Sequence, residues 1–289
     1  MTAQLNSVGI PYTVSDERQT GREIKADFKG TLYPQQADAS AKILEHDTGV
    51  LCAATAFGKT AVGAYLIAQR KVNTLVLVHN SEIMKNWVED FEKFLQINED
   101  LPEYITPKGR RKKRKSVIGT LSGGRNTLGG ILDVAMITSL GQGDDVNPLI
   151  KNYGMVIMDE CHHAGAAIAE DVLNDVSAKY VYGLTATPKR DDGQEQKIFM
   201  QLGPIRYRYT AKDRAVAQNV RHFVYPRFTR LFVPNANKLS YNQARRAVVG
   251  STIRNELILT DVVFLLASRT YPLGADQRER ARGGFCTRN

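Results

Sequence analysis

Between about residues 35 and 185, short apolar runs alternate with segments in which apolar residues recur at helical spacing. Runs that are apolar on both faces predict buried strands, and the segments between them predict helices. The predicted strands are GVLCA (49–53), TLVLVH (74–79), KSVIGTL (115–121), LDVAMIT (132–138), GMVIMDE (154–160) and YVYGLTA (180–186). This order predicts an α/β fold, with a mostly parallel sheet covered by helices on both faces.

Two of the predicted helices, 59–70 and 81–96, follow the first two strands, and Ser81 is the expected N-cap of the second. The Pro-, Gly- and Lys/Arg-rich stretch 99–115 predicts an exposed loop. Residues 206–234 alternate only weakly and predict edge strands, whereas 240–269 predicts one or two helices.

Chain length, apolar runs and cysteine spacing limit the classes of protein to which this sequence can belong. With 289 residues and 43% hydrophobic content, the chain is long enough for a sizeable core. No apolar run approaches ~18 residues, so no membrane span is expected. The N-terminus has no secretory pattern, and the three cysteines form no CxxC pair, so we expect a cytoplasmic protein in a reducing compartment.

The net charge of +9 is concentrated in one place. The run KGRRKKRK at 108–115 holds most of this excess, including Arg110, Arg111, Lys112 and Lys113. Such a block suits a polyanion such as nucleic acid. The alternative is a solvated surface loop, and both interpretations can hold together.

A candidate phosphate-binding loop, AATAFGKT at 53–60, lies between a predicted strand and a predicted helix. Lys59 would reach the β- and γ-phosphates of ATP, and the hydroxyl of Thr60 would hold Mg²⁺. The backbone N–H groups of roughly residues 56–60 would converge on the phosphate oxygens. The candidate ATP-binding residues of the loop are Thr55, Ala56, Phe57, Gly58, Lys59 and Thr60. Alanine occupies positions 53 and 56, where glycine is common, at a cost of about 1 kcal/mol if the backbone is strained.

Two acids follow another predicted strand in VIMDECHH (156–163). Asp159 is positioned to bind Mg²⁺ through water, and Glu160 to orient and deprotonate the attacking water. A zinc site at Cys161, His162 and His163 is the alternative. Three consecutive residues cannot all turn to one tetrahedral ion, which argues against zinc. A third strand ends in TATP, where Thr185 and Thr187 place hydroxyls near the phosphate site.

Together, the loop, DECH, GLTATPKRDDG and FKGTLYPQQADA resemble superfamily 2 helicases of the DExH-box type, in the branch containing XPB and the motor subunits of restriction enzymes. The resemblance implies a RecA-like P-loop lobe that binds ATP and Mg²⁺. It implies that Gln36, or the adjacent Gln35, reads the adenine. It also implies that His162 couples the ATP site to a nucleic-acid surface.

The same resemblance implies nucleic-acid contacts in two further segments. VLVHN…KNW (76–87) contributes His79 and Asn80, and the segment at 123–140 contributes Thr138 and Ser139 as phosphate contacts. DNA is favoured over RNA as the partner by the branch that the chain resembles. The residues themselves leave RNA open.

The resemblance also divides the chain. We expect an N-terminal extension or linker at 1–27, the first RecA-like lobe at 28–235, a helical lead-in at 236–273 and a disordered or aberrant tail at 274–289. The second RecA-like lobe, in cis or in trans, is expected to complete the motor. The alternatives are a non-catalytic module that binds ATP and nucleic acid, and a lobe of an RNA helicase.

Overall fold

The computed structural model describes residues 7, 11, 13, 15–106, 109–142, 145–163, 167–186, 195–217, 226–229 and 239–269. The predicted tail at 274–289 and Thr187 lie outside these ranges. The strands are β1 Ala26–Phe28, β2 Thr48–Ala53, β3 Thr74–Val78, β4 Leu95–Ile97, β5 Glu103–Ile105, β6 Arg111–Lys113, β7 Ile118–Ser122, β8 Arg125–Asn126, β9 Leu132–Met136, β10 Gly141–Gln142, β11 Asp145–Val146, β12 Met155–Asp159, β13 Tyr180–Thr185 and β14 Ile205–Tyr209.

The α-helices are α1 Pro34–Leu44, α2 Lys59–Arg70, α3 Ser81–Phe94, α4 Ile137–Leu140, α5 Ala167–Asn174, α6 Glu195–Leu202, α7 Ala211–Ala217, α8 Tyr241–Val249 and α9 Thr252–Arg269. Short 3-10 turns occupy Pro148–Asn152 and Cys161–His163. None of the helices that the structure describes is both long and apolar enough to cross a bilayer.

An eight-stranded sheet forms the centre of the unit Met1–Arg221, in the order β14-β2-β13-β12-β3-β9-β7-β8. All neighbouring pairs are parallel except β7 and β8, which form a hairpin. The α/β prediction is therefore confirmed. Strand β14 lies at one edge, where residues 206–234 were predicted to contribute edge strands.

Alternate residues of the central strands pack into two separate cores. Val76 and Ile157 face the core that helices α1, α2 and α3 cover. Leu75 and Val156 face the opposite core, which helix α5 covers. Strands buried on both faces require apolar residues throughout, which explains the continuous apolar runs in the sequence.

Part of the predicted N-terminal extension contributes to the first of these cores. Ile24 is 1% exposed, and Ala26 is fully buried in strand β1. Strand β1 pairs with β4, and Glu23 forms an isolated bridge with Val72. This segment therefore adds buried apolar surface to the core that helices α1, α2 and α3 cover.

Two local predictions were wrong. The N-cap of α3 is Asn80, not Ser81, because the extended backbone of Asn80 lets its side-chain oxygen accept the amide of Ile83. The predicted loop at 99–115 contains a hairpin, in which β5 pairs antiparallel with β6. The turn is closed by Gly109 at φ 73, whose amide donates to Thr106.

The chain forms two compact units, Met1–Arg221 and His222–Asn289. In the second unit, the segment predicted as one or two helices forms α8 and α9. Ser240 begins α8 with a capping box, since its side chain accepts the amide of Gln243 while the Gln243 side chain accepts the amide of Ser240. The predicted domain boundaries remain predictions.

Candidate functional site

Many of the residues singled out in the sequence follow five parallel strands of the central sheet. The candidate phosphate loop follows β2, the acidic pair ends β12, and Thr185 ends β13. His79 follows β3, and Thr138 lies just beyond β9. Because the carboxyl ends of parallel strands share one edge, the fold gathers these residues at the edge where such sheets bind ligands.

The loop between β2 and α2 turns at two residues of positive φ. Gly58, at φ 84, precedes α2, and a side-chain carbon added there would overlap Nε2 of Gln36. Ala56 adopts φ 61 and therefore carries the strain expected where glycine is common. The loop thus requires glycine at position 58 for both its conformation and its packing.

Gln36 supports this loop from helix α1. Its Nε2 donates to the carbonyl oxygen of Phe57 at 2.7 Å, and its Oε1 accepts the amide of Tyr33 at 2.9 Å. The residue is 5% exposed, whereas the neighbouring Gln35 is half-buried. Gln36 therefore joins the start of α1 to the phosphate loop, a role that the sequence did not predict.

Phe57 anchors the same loop from its other side. Its buried ring lies 5.0 Å from the ring of Tyr209 and 6.5 Å from that of Tyr207, both on the edge strand β14. Arg214 donates to the carbonyl oxygen of Thr55 at 2.9 Å. The side chain of Phe57 thus serves packing, while its backbone remains part of the loop.

Lys59 reaches from the first turn of α2 to the acidic pair. Its Nζ lies 3.6 Å from Oε1 of Glu160 and 3.5 Å from the carbonyl oxygen of Ala53. Glu160 has a φ of 48, a strained backbone conformation immediately after the strand, of the kind that occurs at functional sites. The neighbouring Thr60 is half-buried in the same helical turn.

Asp159 is the more enclosed of the two acids. Desolvation raises its pKa, and a hydrogen bond from Trp87 opposes that rise. Trp87 Nε1 donates to Oδ2 at 2.8 Å, and the amide of Glu160 donates to Oδ1 at 2.9 Å. No role for the Trp87 side chain was predicted from the sequence, although its spacing from Phe91 indicates a buried helix face.

His162 connects two of the motifs. Its Nδ1 lies 3.1 Å from the hydroxyl of Thr185 and 3.3 Å from Oε2 of Glu160. Thr185 is 1% exposed at the end of β13. The predicted coupling residue therefore contacts both the acidic pair and the strand that leads to TATP, whose Thr187 lies outside the described residues.

The zinc alternative receives no support. Cys161 is fully buried against Gly183 in the core that α5 covers. Burial raises the pKa of its thiol, which disfavours the thiolate that binds zinc. In the ranges that the structure describes, no group of three or more His, Cys, Asp or Glu side chains is placed to hold a metal ion by itself.

An open depression of about 870 Å³ lies at the same sheet edge, near the ends of β7 and β9. It is lined by Ser81, Leu121, Ser122, Gly123, Gly124, Met136, Thr138, Ser139, Leu140, Val146, Asn147 and Pro148. The amide of Gly123 donates to the hydroxyl of Ser139 at 3.3 Å. The structure thus brings two predicted phosphate contacts, Thr138 and Ser139, into one concave surface.

Of the other residues predicted to bind nucleic acid, His79 and Asn80 adjoin Ser81 of this surface, whereas the four cations of the basic run lie on a separate hairpin. Asn80 caps α3 next to Ser81, and its Nδ2 lies 3.2 Å from Nε2 of His79. The cations Arg110, Arg111, Lys112 and Lys113 lie on the β5–β6 hairpin, where β6 is fully exposed. The hairpin is braced by Arg114, whose guanidinium lies 4.3 Å from the ring centre of Tyr104.

Comparison with known protein families gives one match that spans more than half of the chain. Residues 29–190, which hold the loop, the acidic pair and the TATP turn, match the family described as type III restriction enzyme, res subunit. The chain belongs to this family. The resemblance inferred from the motifs is therefore confirmed.

Several curated proteins resemble this member of the family. A DNA 3'-5' translocase XPB2 from Sulfurisphaera tokodaii is 26% identical over 64% of this chain and 37% of its own length. A DNA 3'-5' helicase XPB from Kineococcus radiotolerans is 29% identical over 74% and 36%. A putative ATP-dependent RNA helicase L396 from Acanthamoeba polyphaga mimivirus is 29% identical over 62% and 32%.

The chain spans about a third of the length of these relatives. Among solved structures, the UvsW helicase from bacteriophage T4 aligns over 71% of this chain and 75% of that chain, with a TM-score of 0.48 and 16% identity.

Proposed function

We propose that this chain is the ATP-binding motor lobe of a DNA helicase or translocase, which couples ATP hydrolysis to movement on nucleic acid together with a second RecA-like lobe. The observation that carries the proposal is the approach of Lys59 to Glu160, at 3.6 Å. This contact joins the end of the phosphate loop to the acidic pair at one edge of a parallel sheet. Membership of a family of restriction-enzyme motor subunits supports the same conclusion.

The residues present fit ATP and Mg²⁺. Lys59 supplies a cation for the β- and γ-phosphates, and the start of α2 offers backbone N–H groups to the same anion. Thr60 and Asp159 would hold Mg²⁺, whose charge would neutralise the phosphate oxygens during transfer. Gln36, or else Gln35, would read the adenine.

Glu160 would act as the base that orients and deprotonates the attacking water. Its carboxylate contacts His162, which also lies 3.1 Å from Thr185. Through this chain of contacts, with Thr187 as a further hydroxyl, His162 would couple the nucleotide site to the nucleic-acid surface.

The proposed partner is nucleic acid, with DNA favoured over RNA. Two of the three relatives above are named as DNA enzymes, and the third as an RNA helicase. The depression at Thr138 and Ser139 and the cationic hairpin would contact phosphates. A comparison of single-stranded DNA with RNA of the same sequence, as ligands in fluorescence anisotropy, separates the two partners.

The buried free thiols of Cys52 and Cys161 support a reducing compartment such as the cytoplasm.

Isothermal titration calorimetry with Mg²⁺ and ATP tests the proposed nucleotide site. Lys59→Ala should abolish measurable nucleotide binding, because it removes the cation expected at the β- and γ-phosphates. Lys42→Ala, an exposed lysine at the end of α1, removes the same charge elsewhere and should leave affinity unchanged. Unchanged affinity in Lys59→Ala would refute the assignment.

A further inference from the structure

Trp87 is a core residue with its one polar atom directed at the acidic site. It is the only tryptophan of the chain and is 1% exposed, on the helix face that packs against the sheet. Its Nε1 donates at 2.8 Å to Oδ2 of Asp159, a residue 72 positions further along the chain. Buried indole N–H groups need a partner, and here the partner is the proposed Mg²⁺ carboxylate.

The carboxylate of Asp159 is held at both oxygens. The amide of Glu160 donates to Oδ1 at 2.9 Å, while Trp87 donates to Oδ2. Two donors on different oxygens fix the plane of the carboxylate, and each oxygen keeps a second lone pair for a metal-bound water. Hydrogen bonds to a metal-binding carboxylate commonly set its orientation.

Helix α2 has a glycine, Gly63, at the point where it contacts the indole. A Cβ atom added at Gly63 would lie 2.7 Å from Cη2 of Trp87 and 3.1 Å from its Cζ3. Gly63 therefore lets the ring lie directly against the helix that begins at Lys59. The indole thus packs between the helix of the phosphate loop and the strand of the acidic pair.

We propose that Trp87 is a positioning residue that orients Asp159 for the Mg²⁺ of a bound nucleotide, and that Gly63 provides the space the indole needs. This inference rests on the proposed nucleotide site. A packing role alone would change nucleotide affinity equally with and without the metal. A positioning role predicts a larger change in the affinity measured with Mg²⁺.

Calorimetry with AMP-PNP, performed once with Mg²⁺ and once with EDTA, measures the metal-dependent part of the affinity. In Trp87→Phe, which keeps a buried ring but loses the donor, the ratio of the two affinities should fall about tenfold or more. Affinity in EDTA should stay as in the wild type. Phe91→Leu is the matched control, since Phe91 is equally buried and packs 5.2 Å from Trp87 on the same helix.

Two further measurements keep the inference testable if Trp87→Phe does not fold. Gly63→Ala retains the tryptophan but crowds its ring, and should lower the same affinity ratio. In the wild type, the emission of this single tryptophan should change when Mg²⁺ is added to protein with AMP-PNP, but not when EDTA is present.

The outcomes separate the two proposals. Failure of the wild type to bind AMP-PNP with Mg²⁺ would remove the nucleotide site itself. Wild-type binding with an unchanged affinity ratio in Gly63→Ala and in folded Trp87→Phe would overturn the positioning role. A fall of the same size in Phe91→Leu would also overturn it, because the effect would then follow from packing alone.

Discussion

The side-chain amide of Gln36 donates a 2.7 Å hydrogen bond to the backbone carbonyl of Phe57, inside the candidate phosphate loop. This contact links helix α1 to a loop that has a single glycine in its last turn. Since Phe57 also packs on Tyr209, the loop is held from both sides. A loop with alanine at position 56 can therefore keep its shape through tertiary contacts.

Gln36→Ala should weaken nucleotide binding, because it leaves the buried carbonyl of Phe57 without its hydrogen bond. An unpaired buried group costs about 1–3 kcal/mol, which predicts a loss of roughly 5- to 150-fold if the loop loosens by that amount. The affinities for ATP and GTP, each measured by calorimetry, separate two roles. If the affinities for ATP and GTP fall equally, Gln36 only supports the loop. If the affinity for ATP falls further than that for GTP, Gln36 also recognises the adenine. Gln35→Ala is the matched control for the neighbouring alternative.

Neutralising the basic hairpin should weaken binding to nucleic acid of any sequence by a similar factor. Phosphate contacts release counterions, so the variant with Ala at Arg110, Arg111, Lys112 and Lys113 should also lose part of its salt dependence, by up to about three units of slope. Fluorescence anisotropy over a range of salt concentrations measures both quantities.

A control for the hairpin removes equal charge elsewhere, at the exposed residues Lys25, Lys42, Lys151 and Lys212. This control should keep most of the affinity and slope of the wild type. If the two variants behave alike, the hairpin is a solvated surface and its charge acts only through the net charge of the protein.

His162→Ala should uncouple the two sites while leaving each able to bind. His162 contacts both Glu160 and Thr185, so it is the expected route between nucleotide and nucleic acid. The affinity for single-stranded DNA, with and without Mg²⁺ and AMP-PNP, gives the coupling factor, which is commonly about 5- to 150-fold. In the variant this factor should approach one. Thr185→Val, which removes only the hydroxyl, should reduce it in the same direction, and full coupling in both variants would contradict the route.

The isolated chain should hydrolyse ATP slowly or undetectably. An arginine that contacts the γ-phosphate contributes about 10³–10⁵ in rate, and the proposal assigns it to the second lobe. Steady-state ATPase measurements should show nucleic-acid-stimulated turnover only when that lobe is supplied in cis or as a separate chain. Glu160→Gln gives the background rate. Robust DNA-stimulated hydrolysis by residues 1–289 alone, lost in Glu160→Gln, would refute the need for a second lobe.

The sequence alone determined which strands the candidate site residues follow. Strands that are buried on both faces must be apolar throughout, so the ends of GVLCA and GMVIMDE could be located to within a residue or two. Since Lys59 and Glu160 each follow such a strand, their location at the same sheet edge could be predicted without knowing the strand order, whereas their contact at 3.6 Å depends on that order. Local spacing also predicted helix α2 with its observed ends, Lys59 and Arg70.

Only the tertiary structure decided which side chains hold these groups in place. The sequence indicates that Trp87 is buried, but apolar periodicity does not show which strand faces it, and its partner Asp159 is 72 residues away. The same holds for Gln36 and Phe57, which meet because α1 packs beside the loop. The basic hairpin formed where a loop was predicted, because charged exposed strands lack the apolar alternation that marks a strand in sequence. Hydrophobic pattern therefore specifies what is buried, while the partner of each buried polar atom depends on how distant elements pack.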